Sequence, residues 1–159
     1  MKLLFVCLGN ICRSAAAEAV MKKLATEQGV AGKFQIDSAG LINYHEGEPA
    51  DPRMLAHAAR RGYTIDSISR PVRTSDFYDF DLIIGMDDRN IDELKRKAPD
   101  LNTEKKIHRM TEYANAKLYD HVPDPYYSGA EGFELVLDLL EDACKGLLDH
   151  CIATTQQAK

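Results

Sequence analysis

The run Lys2 to Cys7 carries five consecutive apolar residues and passes through Gly9 and Asn10 into an alanine-rich stretch beginning at Ser14. An unbroken apolar run this short suits a strand covered on both faces, and such strands belong to parallel sheets with helices above and below. Ser14 to about Gln28 then reads as a helix, with Ala16, Val20 and Leu24 at four-residue spacing. The alternation continues down the chain. Lys33 to Ser38 predicts a second strand, ended by Ala39-Gly40, and Asp51 to Arg61 a helix stopped by Gly62. Asp81 to Met86 predicts a third strand around Leu82-Ile83-Ile84, and Asp88 to Lys97 a helix stopped before Pro99. Lys105 to Met110 supplies a fourth strand. Glu131 to about Ala153 is the clearest helix, with Phe133, Val136, Leu140, Cys144, Leu147 and Cys151 on one stripe. No repeat, low-complexity tract or linker interrupts this order. A single α/β domain over residues 1–159 is the expectation, its last few residues a disordered tail.

In parallel sheets, ligands sit at the carboxyl ends of the strands. Cys7 ends the first strand, Ser38 the second, and Asp87 lies just past the third, so three segments converge on one rim. Between Cys7 and the first helix the chain turns through Gly9, which permits positive φ, and Asn10, which tolerates the left-handed region. Successive N–H groups in such a turn, together with a helix N-terminus, form an anion cradle. Arg13, six residues after Cys7, adds a planar fork suited to a tetrahedral oxyanion. The same donors favour the Cys7 sulfur as an anion, and the Ser14 hydroxyl is placed to assist. The loop therefore reads as a nucleophile beneath a bound phosphoryl group. Spacing by itself leaves open that Cys7 is a small buried hydrophobe and Arg13 a surface cation.

Composition enters as a set of exclusions. The net charge of −5 argues against a nucleic-acid partner, which calls for surplus Lys and Arg. No apolar run approaches the ~20 residues that cross a bilayer, and the N-terminal run lacks the features of a signal peptide. A cytoplasmic location, with no membrane partner, is the expectation. Cys7, Cys12, Cys144 and Cys151 do not form a disulfide scaffold. Cys144 and Cys151 share the apolar stripe and stand roughly 10.5 Å apart along a helix, so core packing accounts for them. A zinc site on Cys7 and Cys12 lacks two ligands, and neither His45 nor His57 shows metal-ligand spacing. Asp87 and Asp88 precede a helix, where N-capping is their ordinary use. Asp124, between Pro123 and Pro125, reads by itself as a surface turn.

The segment Cys7-Leu-Gly-Asn-Ile-Cys-Arg-Ser14 resembles the signature of the low-molecular-weight protein tyrosine phosphatases. The resemblance continues through Asp37-Ser38-Ala39, Asp51-Pro52-Arg53, Gly85-Met86-Asp87 and Asp124-Pro125-Tyr126-Tyr127, in order along nearly the whole chain. It implies a four-stranded parallel sheet flanked by helices, with a phosphate-binding loop between the first strand and the first helix. It implies hydrolysis of phosphotyrosine through a phosphocysteine on Cys7, with Arg13 binding phosphate and Asp124 as general acid. It implies that Leu8, Gly9, Asn10, Ile11, Cys12 and Ser14 line the substrate's phosphate and that Tyr44, Tyr126 and Tyr127 flank its ring. Ser38 and Asp87 support the loop, and Cys12 resembles a second cysteine that can pair reversibly with the nucleophile under oxidation. No metal or cofactor is implied. The implied partners are phosphotyrosine proteins or peptides and a cognate tyrosine kinase, for a monomer or weakly self-associating dimer. Ala15 stands where relatives often have proline, and Ser67 stands in a segment where they can carry histidine.

Three rival readings share the scaffold. A protein-arginine phosphatase carries threonine where this chain has Ile11 and lacks the paired tyrosines, so Ile11 with Tyr126-Tyr127 favours phosphotyrosine. An arsenate reductase uses paired thiols. A non-catalytic phosphate-binding module keeps the cradle, although the joint presence of Cys7, Arg13 and Asp124 argues against it.

Overall fold

The structure is a computed structural model and describes residues 1–157. Four strands form one parallel sheet: β1 (Lys2–Cys7), β2 (Gln35–Gly40), β3 (Leu82–Gly85) and β4 (Ile107–Arg109), in the order β2-β1-β3-β4. The central strand β1 pairs Cys7 with Gly40 on one side and Val6 with Gly85 on the other. The helices are α1 (Arg13–Glu27), α2 (Pro52–Arg60), α3 (Thr74–Asp79), α4 (Asp88–Lys97), α5 (Leu101–Glu104) and α6 (Ala130–Gln157).

The period-2 geometry of β1 divides the core. Leu3, Phe5 and Cys7 face a cluster filled by α1 and α6, and Leu4 and Val6 face a second cluster with Phe77, Ile91 and Leu94. Strand residues 3–7 are at most 3% exposed, which explains why β1 shows no alternation. The predicted stripe of α6 is wholly buried, Cys144 and Cys151 included. Burial pushes both thiols up, Cys151 to about 11.

Two boundaries differ from expectation. Residues Ala31–Lys33 close a 3-10 turn, and β2 starts at Gln35 and continues through Ala39 and Gly40, because both still pair with β1. The last helix runs to Gln157, beyond the expected end near Ala153. The disordered tail expected for the final residues falls in part on 158 and 159, outside the described residues. α3, α5 and the 3-10 segment Met110–Tyr113 carry too few residues to show a helical period.

Candidate active site

Strand β1 ends at Cys7 and α1 starts at Arg13, so the chain between them must turn tightly over the carboxyl edge of the sheet. The left-handed residue of that turn is Asn10, at φ 58°. Asn reaches this region by bonding locally, and its side chain does so here. Nδ2 donates to Ser14 Oγ at 2.8 Å and Oδ1 accepts the Arg70 N–H at 3.1 Å. Gly9 is not left-handed, contrary to expectation. Its missing side chain serves a close approach instead, since a Cβ there would lie 3.2 Å from the His45 ring. Ser69 Oγ donates to the Gly9 carbonyl at 2.9 Å, and the Asp51 N–H donates to the Ile11 carbonyl at 2.8 Å. Among the described residues, the backbone N–H groups from Leu8 through Arg13 donate to no carbonyl, leaving a run of donors available to an anion.

Cys7 is 3% exposed and opens onto a cleft of about 420 Å³. Its Sγ accepts the Ser14 N–H at 3.4 Å and lies 3.0 Å from Ser14 Oγ. That hydroxyl already accepts from Asn10, so its one proton is left for the sulfur or for the Ala39 carbonyl at 3.4 Å. The shorter contact favours the sulfur.

Arg13 is 2% exposed. Nη1 donates to Asp87 Oδ2 at 2.7 Å and to the Val122 carbonyl at 3.0 Å, while Nη2 stands 3.6 Å from Asp124 Oδ2. Burial disfavours the cation, but Cys7, the Asp87 bond and charge, and Asp124 outweigh burial and hold it above its usual range. Asp87 shows the converse. Burial raises its carboxyl, and the bond to Arg13 and the Asn90 N–H prevail, so it titrates below the usual carboxylate range. Asp87 is also the N-cap of α4, accepting the Asn90 N–H at 2.8 Å. One side chain thus both caps α4 and holds Arg13. Asp88 pairs with Arg109.

Asp124 lies beside the same guanidinium on an irregular segment. Its Oδ1 accepts the Tyr126 N–H at 3.0 Å, a local turn that aims the carboxyl over the cleft mouth. Leu8, Gly9, Ile11, Cys12, Tyr44, Tyr126 and Tyr127 also line the cleft. Tyr44 and Tyr127 form its outer rim, at 80% and 96% exposure. Cys12 is buried, and burial first, then Asp51, Cys7 and Asp124, push its thiol far up, so it stays protonated at neutral pH.

Ser38 occupies a different place from the rest. Its Oγ donates to Glu18 at 2.7 Å, and Glu18 in turn takes Lys22 at 2.5 Å. Its hydroxyl thus bonds into α1, with the loop one residue further, where Ala39 offers its carbonyl to Ser14. Residues that local spacing did not single out complete the surroundings. Ser69 and Arg70 hold the loop from sixty residues away. His45, considered above only as a metal ligand, walls the cleft with Nδ1 2.7 Å from Glu48. A larger hollow of about 780 Å³, between β4 and residues 117–120, contains none of the predicted site residues.

The low molecular weight phosphotyrosine protein phosphatase profile matches residues 2–158. The chain belongs to that family. It is a phosphatase, and its relatives extend over nearly its full length. A protein tyrosine phosphatase structure from Entamoeba histolytica, with Hepes in its active site, superposes with a TM-score of 0.95 at 50% identity, covering 98% of this chain and 99% of that one. A Synechocystis protein assigned to the low molecular weight protein-tyrosine-phosphatases is 45% identical, over 93% of this chain and 94% of its own. The structure of a Drosophila arginine phosphatase superposes with a TM-score of 0.88 at 33% identity, covering 94% and 97% of the two chains. The family's parallel four-stranded sheet is the one found here.

Proposed function

We propose that this phosphatase hydrolyses phosphotyrosine in proteins or peptides in two steps, through a phosphocysteine on Cys7. The observation that carries the proposal is the Cys7 sulfur beneath unpaired loop N–H groups, with Arg13 and Asp124 on the same cleft. In the first step, Sγ attacks phosphorus and the ester P–O bond breaks. The electron pair leaves with the phenolic oxygen, which takes a proton from Asp124. The loop N–H groups and Arg13 hold the equatorial oxygens as their charge shifts. In the second step, a water gives its proton to Asp124 and attacks phosphorus, and the S–P bond breaks to return the thiolate and release inorganic phosphate. Ser14 supports the sulfur in both states. Asn10 keeps the loop's shape, Asp87 keeps Arg13 in place, and Ser38, expected to support the loop, ties β2 to α1 through Glu18 instead.

The aromatic walls select the ester. Tyr126 and Tyr127 meet edge to face, with centroids 4.9 Å apart, and offer ring surface to an aryl group reaching down to the recessed sulfur. The Drosophila arginine phosphatase supplies a second reading, phosphoarginine, on the same scaffold. Ile11 and the tyrosine pair favour phosphotyrosine. No helix among the described residues is long and apolar enough to cross a membrane, and the four free thiols suit a reducing cytoplasm.

Purified protein assayed side by side on phosphotyrosine, phosphoserine and phosphoarginine peptides should prefer the first. Cys7→Ser should abolish turnover while leaving the fold intact. Near-normal turnover in that variant, or faster release from phosphoarginine by the wild type, would overturn the reading.

A further inference from the structure

Helices α2 and α6 pack against one another and bring four flat side chains into successive contact. His57 of α2 stacks on Phe133 of α6, with centroids 5.5 Å apart and planes 4° from parallel. Its Nδ1 lies 2.5 Å from Glu134 Oε2, which fixes the imidazole's rotation. The Arg53 guanidinium sits 4.9 Å from the Phe133 centroid and 5.4 Å from that of Tyr126. Arg53 is therefore shared between a helix of the framework and a wall of the cleft.

The guanidinium is gripped rather than free. Asp51 accepts its Nε at 3.1 Å and its Nη2 at 2.9 Å. Asp51 is anchored in turn, because it caps α2 through the Arg53 N–H and donates its own N–H to the Ile11 carbonyl of the phosphate loop. Asp51 balances the Arg53 charge, and the cleft lining includes Arg13 and not Arg53. What remains is a planar cation presented to an aromatic face. Tyr126 lies on a segment outside any helix or strand, between Val122 and the start of α6. Its ring neighbours are Tyr127, which is almost wholly exposed, and His45, tilted with centroids 6.4 Å away; it also packs against the main core, and Arg53 is the cation set against its ring.

We propose that Arg53 is a positioning residue, which holds Tyr126 at the place where the substrate's aromatic ring packs, seated on Phe133 and His57 and oriented by Asp51. The proposal rests on the phosphotyrosine reading above. A wall that contacts the aryl group equally before and during transfer contributes uniform binding, so its loss appears in KM and not in kcat.

The test is steady-state kinetics of Arg53→Met, which keeps the stem and removes the fork. For a phosphotyrosine peptide, KM should rise roughly fivefold or more, the worth of about one cation–π contact, with kcat within about twofold. The inhibition constant of inorganic phosphate, which meets no ring wall, should stay unchanged. In a Tyr126→Ala background the same substitution should add nothing further. Arg53→Gln, which removes the charge and keeps a polar end, serves if the methionine variant does not fold and should show the same pattern. An unchanged KM, an equal loss in the Tyr126→Ala background, or phosphate inhibition weakening in parallel would each overturn the proposal. Absence of wild-type turnover of the phosphotyrosine peptide would instead overturn the phosphotyrosine reading on which it rests.

Discussion

Asn10 and Asp124 do opposite things with short polar side chains. Asn10 holds strained backbone in place, at φ 58°, with bonds to Ser14 and to the Arg70 N–H. Asn10→Ala loses both bonds and keeps the left-handed penalty, at a cost on the order of 1–3 kcal/mol in unfolding free energy. Denaturant unfolding should read that loss, and Asn10→Gly, which relieves the backbone, should recover part of it. Asp124 stays half-exposed beside Arg13, as the proposed role of proton donor to the leaving group requires. Asp124→Ala should slow an ordinary aryl phosphate by about 10²–10⁴-fold. A phenol acidic enough to leave unaided should lose far less. Equal losses across a leaving-group series would deny Asp124 the donor's role. Both residues stood out in the sequence, Asn10 from its place in a dense local motif and Asp124 only through the family resemblance. Their motif partners Ser14 and Arg13 stood out as well, and the distant ones did not. Nothing in the spacing around Ser69 or Arg70 announces that the fold carries them to the loop, because these contacts close over sixty residues.

Among the elements, legibility followed burial. Strand β1 and helix α6 are buried deeply enough that hydrophobicity alone marks them, the one as an unbroken run and the other as a stripe. The edge strand β2 was misplaced by two residues, since half of it is solvated and its pairing with β1 decides its ends. α3 is too short for periodicity, and its start is set by Asp76 accepting the Arg73 N–H at 2.8 Å, a local bond that composition does not reveal. Helix α6 also carries a constraint invisible in its stripe. At Gly146 it crosses the chain so closely that a Cβ would fall 1.8 Å from the Tyr113 carbonyl oxygen. That neighbour is backbone, so Gly146→Ala must push the helix away. The expected loss is about 1–3 kcal/mol or more, read as a lowered denaturation midpoint. An unchanged midpoint would mean that α6 does not sit this near Tyr113.

For the molecule as a whole, the perturbed carboxylates set the response to acid. Asp51 and Glu134 are lowered chiefly by their bonds to Arg53 and Arg61, and Asp87 is lowered by Arg13 and the Asn90 N–H against the opposing effect of burial. A carboxylate that titrates lower in the folded chain binds fewer protons there than when unfolded. Its stabilisation is complete above the unfolded value of about 4 and drains away as pH falls through the folded value. Urea midpoints should therefore hold steady from pH 7 to about 5 and drop below about 4, and Asp51→Asn should flatten part of that drop. A midpoint insensitive to acid would show these pairs to be silent in the energetics. Asp87 sharpens the point, since one of its oxygens starts α4 while the other holds Arg13. Chemistry and architecture thereby share a single atom group. A substitution that retunes the arginine from this position therefore also changes how the helix begins, so the two effects arrive together in any variant made there.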